Sequence, residues 1–536
     1  MITSAADSRK LPFLEDVVQG LGIALVPGVA GIQLKGITAD SRRVLPGFLF
    51  VAIEGGRSDG HDFLVSAVNQ GCAALLVQSD RAERAAGLGV PVLVARDPRK
   101  TFAGLVAAFY GHPERELVMI GVTGTNGKTT TCYILESILK AAGFSPGVIG
   151  TVSYRYQGFE KKASLTTPEP EELFRLFRDM VDEGVTHLLM EVSSHSLIQS
   201  RLVGVLFDVA VFTNLSRDHL DFHGEMEGYY LAKRELFTRY LKKAGAAVIL
   251  GEISQGKGEG AEWGLRLKDD LLAGNDFGPG EKSPHRLVNC GVEKGEVYFS
   301  ALEMNLAGIT GELSGPGGRA GFKTSLTGRF NLENIVVAAG AGFALGLEAE
   351  EICRGISMTG QVPGRLEKVG DGTKCRVFVD YAHTPDALVN VLETLKYLGN
   401  SRLVVVFGCG GDRDRGKRPL MGRDAASHAE VVIITSDNPR SEEPLAIMKE
   451  IEQGIINDGV PLMKKKSGET LLREGLRGYD MIESRKEAIE VVIANCRPDD
   501  VVLISGKGHE DYQIIGDLKM HFDDRQEALR CLALKY

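Results

Sequence analysis

No segment of this chain approaches the run of about 20 apolar residues that a membrane-spanning helix needs, so no helical membrane insertion is expected. The first residues lack the apolar core of a secretory leader, and a cytoplasmic location is the expectation. Eight cysteines are present, at Cys72, Cys132, Cys290, Cys353, Cys375, Cys409, Cys496 and Cys531, with no C-x-x-C pair and no metal-type spacing. That scatter reads as small core residues in a reducing compartment rather than a zinc or disulfide framework. Positive charge is also in deficit: the net charge of −9 argues against a surface that coats nucleic acid and leaves only local basic pockets. No internal repeat or low-complexity tract stands out. Instead the chain holds 65 glycines and many short Val/Ile/Leu runs, which suits an α/β architecture with tight βα turns. A length of 536 residues predicts roughly three or four domains.

The ten residues 121–130, Gly-Val-Thr-Gly-Thr-Asn-Gly-Lys-Thr-Thr, carry the strongest signal. They follow an apolar run (Leu117 to Val122) and open a segment whose Ile134, Leu135, Ile138 and Leu139 fit one helical face. Strand, glycine loop and helix form the context of a nucleotide-phosphate cradle, in which backbone N–H groups and a helix N-terminus meet the anion. Lys128 is placed to reach the β/γ-phosphates and the Thr129 hydroxyl to face Mg²⁺. The strict Walker spacing fails, because Val122 stands where its first glycine belongs.

Three blocks are expected: 1–113, 114–361 and 362–536. The first has strand candidates at Phe48–Ile53, Ala73–Val77 and Val92–Ala95 and a helical stretch at Thr101–Tyr110. The second has continuous apolar strands at His187–Met190 and Val209–Phe212, as in a parallel sheet covered on both faces. Between about 251 and 320 the pattern turns glycine-rich, predicting a peripheral insertion or small subsheet. The third has strands at Arg376–Asp380, Leu403–Phe407, Val431–Thr435 and Val501–Ser505 with helices between, a second open α/β sheet. Its Gly408–Arg413 turn lacks the third glycine of a dinucleotide fingerprint, with Arg413 in that place.

Glu191-Val-Ser-Ser-His195 ends a strand, where ligand-facing residues of parallel sheets gather, and a carboxylate there suits Mg²⁺. Thr213-Asn-Leu-Ser-Arg-Asp-His219-Leu-Asp-Phe-His-Gly follows another strand. Either cluster alone reads as a helix cap or bonded loop; the pair near a phosphate loop reads as a site. Lys233 alone reads as a solvated helix lysine. The third block adds Asp380-Tyr-Ala-His383-Thr-Pro, Gly411-Asp-Arg413-Asp-Arg-Gly-Lys-Arg-Pro419, Asp437-Asn-Pro-Arg440 and Gly506-Lys-Gly-His-Glu510. The Arg/Lys density at 413–418 fits anion recognition.

Together with Gly328-Arg-Phe-Asn-x-x-Asn334 and Pro363-Gly-Arg-Leu-Glu367, these motifs run in order along essentially the whole chain, which resembles the Mur ligase family. The resemblance implies three α/β domains: one binding a UDP-sugar, a central P-loop parallel sheet acting as ATPase, and a C-terminal Rossmann-like open sheet binding the amino acid. It implies an ATP-dependent ligase of peptidoglycan precursor synthesis that phosphorylates the free carboxylate of UDP-MurNAc-L-Ala-D-Glu and lets meso-diaminopimelate attack the acyl phosphate. It further implies that Gly124, Thr125, Asn126, Gly127, Lys128, Thr129 and Thr130 hold phosphate. Thr129 and Glu191 then face Mg²⁺, His219 joins the metal and phosphate site, and Lys233 is carbamylated to N6-carboxylysine, a carboxylate-like metal ligand. Lys128, Glu191, His219 and Lys233 are the implied catalytic set. Asn331, Arg365 and Asp380 correspond to positions at adenine, phosphate and ribose.

For the nucleotide-sugar peptide, the same resemblance implies contacts from Ala39, Ser41, Gly56, Arg57, Ser58, Thr166, Thr167, Ser193, Gln199 and Arg201; Leu165 sits where relatives can carry asparagine. Arg413, Asp437, Asn438, Pro439, Arg440, Gly506 and Glu510 match a diaminopimelate site. Diaminopimelate exceeds lysine by a distal carboxylate, which the Arg440 guanidinium can pair bidentately while Glu510 accepts the distal amine. A lysine ammonium beside that guanidinium costs selectivity. A folylpolyglutamate synthetase or a D-Ala-D-Ala-adding ligase is the nearest rival, and the Asp-Asn-Pro-Arg and Gly-Lys-Gly-His-Glu segments argue against both. A nucleotide switch would need Asn-Lys-x-Asp, which is absent. The third block is expected to close over the second, and the chain to act as a monomer.

Overall fold

Four short apolar runs near the N-terminus become adjacent parallel strands, Gly36–Thr38, Phe48–Val51, Ala74–Gln78 and Val92–Ala95, in sequential order. This computed structural model describes residues 10–23, 26, 28–56, 58–252, 261–274, 285–370, 375–399, 401–457 and 463–535; Arg57 lies outside them. The helix expected at Thr101–Tyr110 runs Pro98–Phe109, because the Asp97 carboxylate caps it by accepting from the Lys100 N–H and Pro98 occupies its first turn.

Two compact units are present: Met1–Gly121, Ser145–Asp208 and Glu235–Lys242 form one, and Val122–Phe144, Val209–Arg234 and Lys243–Tyr536 the other. They cut across the three blocks expected from the sequence, since the glycine loop and its helix group with the C-terminal half. In the first unit, Pro146–Ile149 pairs in parallel with His187–Glu191 and antiparallel with Ser153–Tyr156, which pairs in turn with Phe159–Lys162.

In the second unit the helix Lys128–Ala141 buries Ile134, Leu135, Ile138 and Leu139 completely. Their spacing fills one face. The helix Ala349–Met358 lies so close that a Cβ on Gly355 would stand 2.3 Å from Ile138 Cα, so only glycine admits the approach. The glycine-rich stretch resolves into the strand Arg286–Gly291, parallel to Leu241–Glu252, and an antiparallel subsheet, Tyr298–Asn305, Gly308–Gly315 and Gly318–Thr324.

The C-terminal part is a seven-stranded sheet in the order Glu367–Val369, Arg376–Asp380, Val501–Ser505, Leu403–Phe407, Val431–Ile434, Gly478–Met481, Lys464–Lys465. Only the first pair is antiparallel. Apolar clusters cover both faces, which explains the unbroken Val/Ile runs of its central strands. Val501–Ser505 inserts between strands more than 90 residues earlier in the chain, creating a switch in strand order. Loops leaving the carboxyl ends of such neighbouring strands line a crevice where α/β folds bind ligands. Among the described residues no helix is long and apolar enough to cross a membrane.

Candidate active site

The glycine loop follows the strand Val118–Thr123 and is fastened by the segment 213–216. Thr125 N donates to Asn214 O (3.0 Å), Asn126 N to Asn214 Oδ1 (2.9 Å), and Thr213 Oγ1 to Asn126 O (2.6 Å). Gly127 caps the following helix at φ +86°, and a Cβ there would stand 2.2 Å from Asn334 Oδ1. Backbone this close to its neighbours, at left-handed φ, needs glycine. Lys128 Nζ donates to Gly124 O and Thr125 O at 2.9 Å. Thr129 and Thr130 are buried at the start of the helix, and the Thr129 hydroxyl accepts from Arg365 Nη2 at 3.2 Å.

Lys233 is not a solvated helix lysine. Its side chain is 2% exposed, its ammonium nitrogen lies 2.8 Å from Gly124 O and 4.6 Å above the Tyr229 ring, and burial, reinforced by Lys128, pushes its pKa well below the usual lysine range. His219 sits half-exposed at φ +53° before the turn Leu220–His223, with Nε2 3.3 Å from Asp218 Oδ2. Asp218 also faces His383 Nε2 at 4.0 Å. Burial alone would raise the Asp218 carboxyl, but His219, His383 and Lys417 together hold it below the usual range. His383 is held below its usual range by burial and then by Lys417, whose Nζ donates to His383 O at 2.8 Å.

Asn331 is buried, donating to Thr327 O (2.7 Å) and accepting from Asn334 (3.2 Å). Arg365 stacks on the Tyr381 ring at 4.5 Å. Asp380, raised by burial despite Arg365, accepts from Leu366 N (2.5 Å) and Ala382 N (2.7 Å).

The first unit gathers a second group. Glu191 ends its strand and is bound twice by Thr151, from N (3.0 Å) and Oγ1 (2.8 Å). Thr151 Oγ1 meets Thr166 Oγ1 at 3.1 Å. Thr167 Oγ1 donates to Glu191 O and accepts from Ser193 N, while Arg201 reaches Thr167 O (2.7 Å), Gln199 Oε1 (2.6 Å) and Glu169 (2.8 Å). Thr166, Thr167, Ser193, Gln199 and Arg201 thus share one network with Glu191. Ala39 N donates to Glu171 Oε1 (2.9 Å), and Ser41 opens a turn capped by Asp40. Gly56 and Ser58 lie exposed in the turn closed by Gly55 N to Ser58 O.

A third group stands at the carboxyl ends of three adjacent strands, Val501–Ser505, Leu403–Phe407 and Val431–Ile434. Arg440, at φ +52°, donates to Gly411 O at 2.7 Å. A Cβ on Gly410 would stand 2.9 Å from Arg440 Nη1 and 3.8 Å from Arg413 Cγ, so both arginines border this glycine. Gly411 N donates to the Asn438 carbonyl (2.9 Å), and Asn438 Nδ2 donates to Glu510 Oε2 (3.0 Å). Gly506, at φ +116°, presents a face on which a Cβ would lie 3.3 Å from Asp437 Oδ2. A Cβ on Gly411 would meet the Pro439 carbonyl oxygen at 1.8 Å, which locks this turn together.

The basic run 413–418 does not serve as a whole. Arg418 is fully buried, paired with Glu442 (2.7 Å) and Glu450 (2.8 Å), and Arg415 pairs with Glu450. Arg418 also donates to Gly410 O at 3.2 Å, but its other bonds turn it inward, and Arg413 is the arginine of the run that borders Gly410 beside Arg440. Six residues were not singled out from sequence: Thr151, Glu171, Asp218, His383, Lys417 and Lys507. Asp218, His383, Lys417 and Lys507 lie inside the motifs without having been given a role, and the meeting of Asp218 with His383 across 165 positions has no local signal.

A glycine loop that opens a helix, in one compact unit with an open sheet whose loops converge, defines a nucleotide-binding α/β class. Family models match along the chain: the Mur ligase family catalytic domain over residues 33–110, the Mur ligase middle domain over 122–342, and the Mur ligase glutamate ligase domain over 364–508. The chain belongs to the Mur ligase family. It is 42% identical over 521 residues to the UDP-N-acetylmuramoyl-L-alanyl-D-glutamate–2,6-diaminopimelate ligase of Geobacter metallireducens, covering 96% of this chain and 97% of that one. The enzyme of the same name from Geobacter sulfurreducens is 43% identical over 524 residues, 96% of this chain and 98% of its own. A solved structure of a ligase of that name superposes with a TM-score of 0.65 at 30% identity, over 98% of this chain and 99% of the other.

Proposed function

We propose that this chain is an ATP-dependent ligase that joins meso-2,6-diaminopimelate to UDP-MurNAc-L-Ala-D-Glu in peptidoglycan precursor synthesis. The observation that carries the acceptor choice is the convergence of Arg413, Arg440, the turn 437–439, Gly506 and Glu510 at three adjacent strand ends. Two arginines bordering Gly410 and the Glu510 carboxylate tied to Asn438 suit a zwitterionic carbon centre, with carboxylate against arginine and amine against Glu510.

A carboxylate is a poor electrophile, and phosphorylation supplies the leaving group. The γ-phosphoryl of ATP passes to the acid oxygen with release of ADP; the neutral diaminopimelate amine then attacks the acyl carbon, phosphate departs, and the amine's proton is lost to solvent. Gly124 to Thr130 hold the nucleotide phosphates through backbone N–H groups and the Lys128 ammonium; Asn331, Arg365 and Asp380 serve the adenosine and phosphate end. Charge gathering on the transferred group and on the tetrahedral centre calls for fixed donors. Arg365, already on the Thr129 hydroxyl, is one.

Mg²⁺ would be held by Thr129, His219 and a carbamylated Lys233 of the glycine-loop unit and would neutralise phosphate charge there; Glu191 is the further carboxylate that the family resemblance implies for it. The oxygen and imidazole donors of that set suit a hard cation, and among the described residues no group of three His, Cys, Asp or Glu side chains stands as a metal site of its own. A buried lysine beside a second lysine, pushed toward its neutral form, is the amine that carbon dioxide needs for carbamylation. The sugar-peptide lies along Ala39, Ser41, Gly56 and Ser58 and the network from Thr166 to Arg201. The functional domains are 1–113, 114–361 and 362–536, a reading that the three matched ranges support.

The test is ADP release from ATP and UDP-MurNAc-L-Ala-D-Glu with diaminopimelate, lysine or ornithine as separate acceptors. Turnover with diaminopimelate far above the other two is expected; equal use of lysine would remove the acceptor assignment.

A further inference from the structure

The loop 506–510 contains a lysine with no place in the chemistry above. Lys507 is fully buried; its ammonium faces the Tyr512 ring at 5.6 Å and reaches the oxygens of three side chains, Asp437 Oδ1 at 3.3 Å, Asn438 Oδ1 at 3.2 Å and Glu510 Oε2 at 3.5 Å. Two of these lie about 70 positions away in the sequence, on the turn that carries Arg440. Asn438 completes a ring, because its Nδ2 donates to the same Glu510 oxygen at 3.0 Å while its Oδ1 also accepts from Ile514 N.

We propose that Lys507 is a positioning residue for the acceptor amino acid: it ties the turn 437–440 to the loop 506–510 and keeps the Glu510 carboxylate charged and fixed for the incoming amine. The proposal rests on the reading that Glu510 receives that amine.

The reasoning is electrostatic. A buried ammonium is costly unless paired, and here it is shared between the buried Asp437 carboxylate and the partly buried Glu510 carboxylate, which would otherwise face each other. Two carboxylates sharing a site cannot both stay ionised without a cation between them. Burial and then Asp437 raise the Glu510 carboxyl, and Lys507 opposes that rise. Burial likewise works against Asp437, yet Lys507 and then Arg485 hold it below the usual range. The other groups facing Glu510 are the Tyr381 and Tyr512 phenols and the Arg485 guanidinium, which is engaged by Asp524 at 2.7 Å. With Lys507 made neutral, Glu510 takes up a proton and becomes a poor acceptor for a cationic amine.

The experiment compares wild type with Lys507→Met, Lys507→Arg, Glu510→Gln and the Lys507→Met/Glu510→Gln double variant. Lys507→Met is expected to raise the KM for diaminopimelate by about 10-fold or more, with the KM for ATP changed less than about twofold. Lys507→Arg should recover part of the loss by restoring charge. Loss in the double variant should fall short of the product of the single losses, since the two residues act as a unit.

Independently of any acceptor, a ¹³C titration of the ligand-free protein should show the Glu510 carboxyl moving up by about one unit or more in Lys507→Met. If wild type rejects diaminopimelate, the functional reading fails while this titration still decides the role of Lys507. If Lys507→Met does not fold, the ¹⁵Nζ resonance of wild-type Lys507 replaces it: it should shift on adding diaminopimelate and stay fixed on adding ATP. An unmoved Glu510 titration, equal rises in both KM values, full multiplicativity in the double variant, or an Nζ resonance indifferent to diaminopimelate overturns the proposal.

Discussion

Arg365 reaches across 236 positions of sequence to donate a hydrogen bond to the Thr129 hydroxyl at 3.2 Å while its guanidinium lies 4.5 Å above the Tyr381 ring. One side chain from the third block is thereby fixed over the start of the helix that follows the glycine loop. Arg365→Ala should lower kcat/KM for ATP by about 10²-fold, the scale of losing one preorganised donor to developing charge. Arg365→Lys should fall between, keeping charge but losing the fork. Steady-state kinetics checks this, and an unchanged kcat/KM in the alanine variant contradicts it.

Lys233 yields a prediction in carbon dioxide. Its pKa lies well below the unfolded value because of burial and Lys128, so the native amine loses its proton readily as pH rises through the folded value and regains it as pH falls. Carbamylation needs the unprotonated amine, so activity should fall on acidification in carbon-dioxide-depleted buffer and recover on adding bicarbonate. Lys233→Ala should lose about 10³-fold in kcat, with partial rescue by a short carboxylate. A ¹³C-carbamate signal absent from wild type under ¹³C-bicarbonate would contradict the modification.

The acceptor site predicts a selectivity change. Arg440→Ala should raise the KM for diaminopimelate by about 10²-fold, the scale for losing a bidentate partner of a carboxylate, and leave the KM for ATP near wild type. The gap between diaminopimelate and lysine should narrow. Parallel kinetics with both acceptors reads the outcome, and an unchanged ratio removes Arg440 from the assignment.

The fully buried Arg485–Asp524 pair is joined at 2.7 Å through two parallel bonds, with Arg485 Nη2 also on Ser505 O, and such a pair is costly to break. Asp524→Asn leaves the guanidinium without its counter-charge and should cost about 3–5 kcal/mol in urea unfolding. A cost below about 1 kcal/mol would show that the pair is not held as described.

Much of the fold was legible where burial is continuous. Arg376–Asp380, Leu403–Phe407 and Val501–Ser505 fall where the apolar runs put them, because strands covered on both faces tolerate nothing else. The glycine-rich stretch was legible only as irregular, since half-exposed antiparallel strands such as Gly318–Thr324 alternate weakly. Motif reading singled out Lys128, Glu191, Lys233 and Arg440. It could not show that Arg418 turns inward to Glu442 and Glu450, because charge density in a sequence does not tell which guanidinium finds a buried partner. Glu171 beneath Ala39, Thr151 on Glu191 and Lys507 among Asp437, Asn438 and Glu510 depend on contacts between distant segments. No local period encodes them.

The most direct test follows oxygen. UDP-MurNAc-L-Ala-D-Glu carrying ¹⁸O in its free carboxylate, incubated with ATP, Mg²⁺ and diaminopimelate, should yield the diaminopimelate-extended product and inorganic phosphate bearing one ¹⁸O per amide bond formed. Phosphate free of ¹⁸O, or no extended product at all, would contradict activation of that acid by phosphoryl transfer.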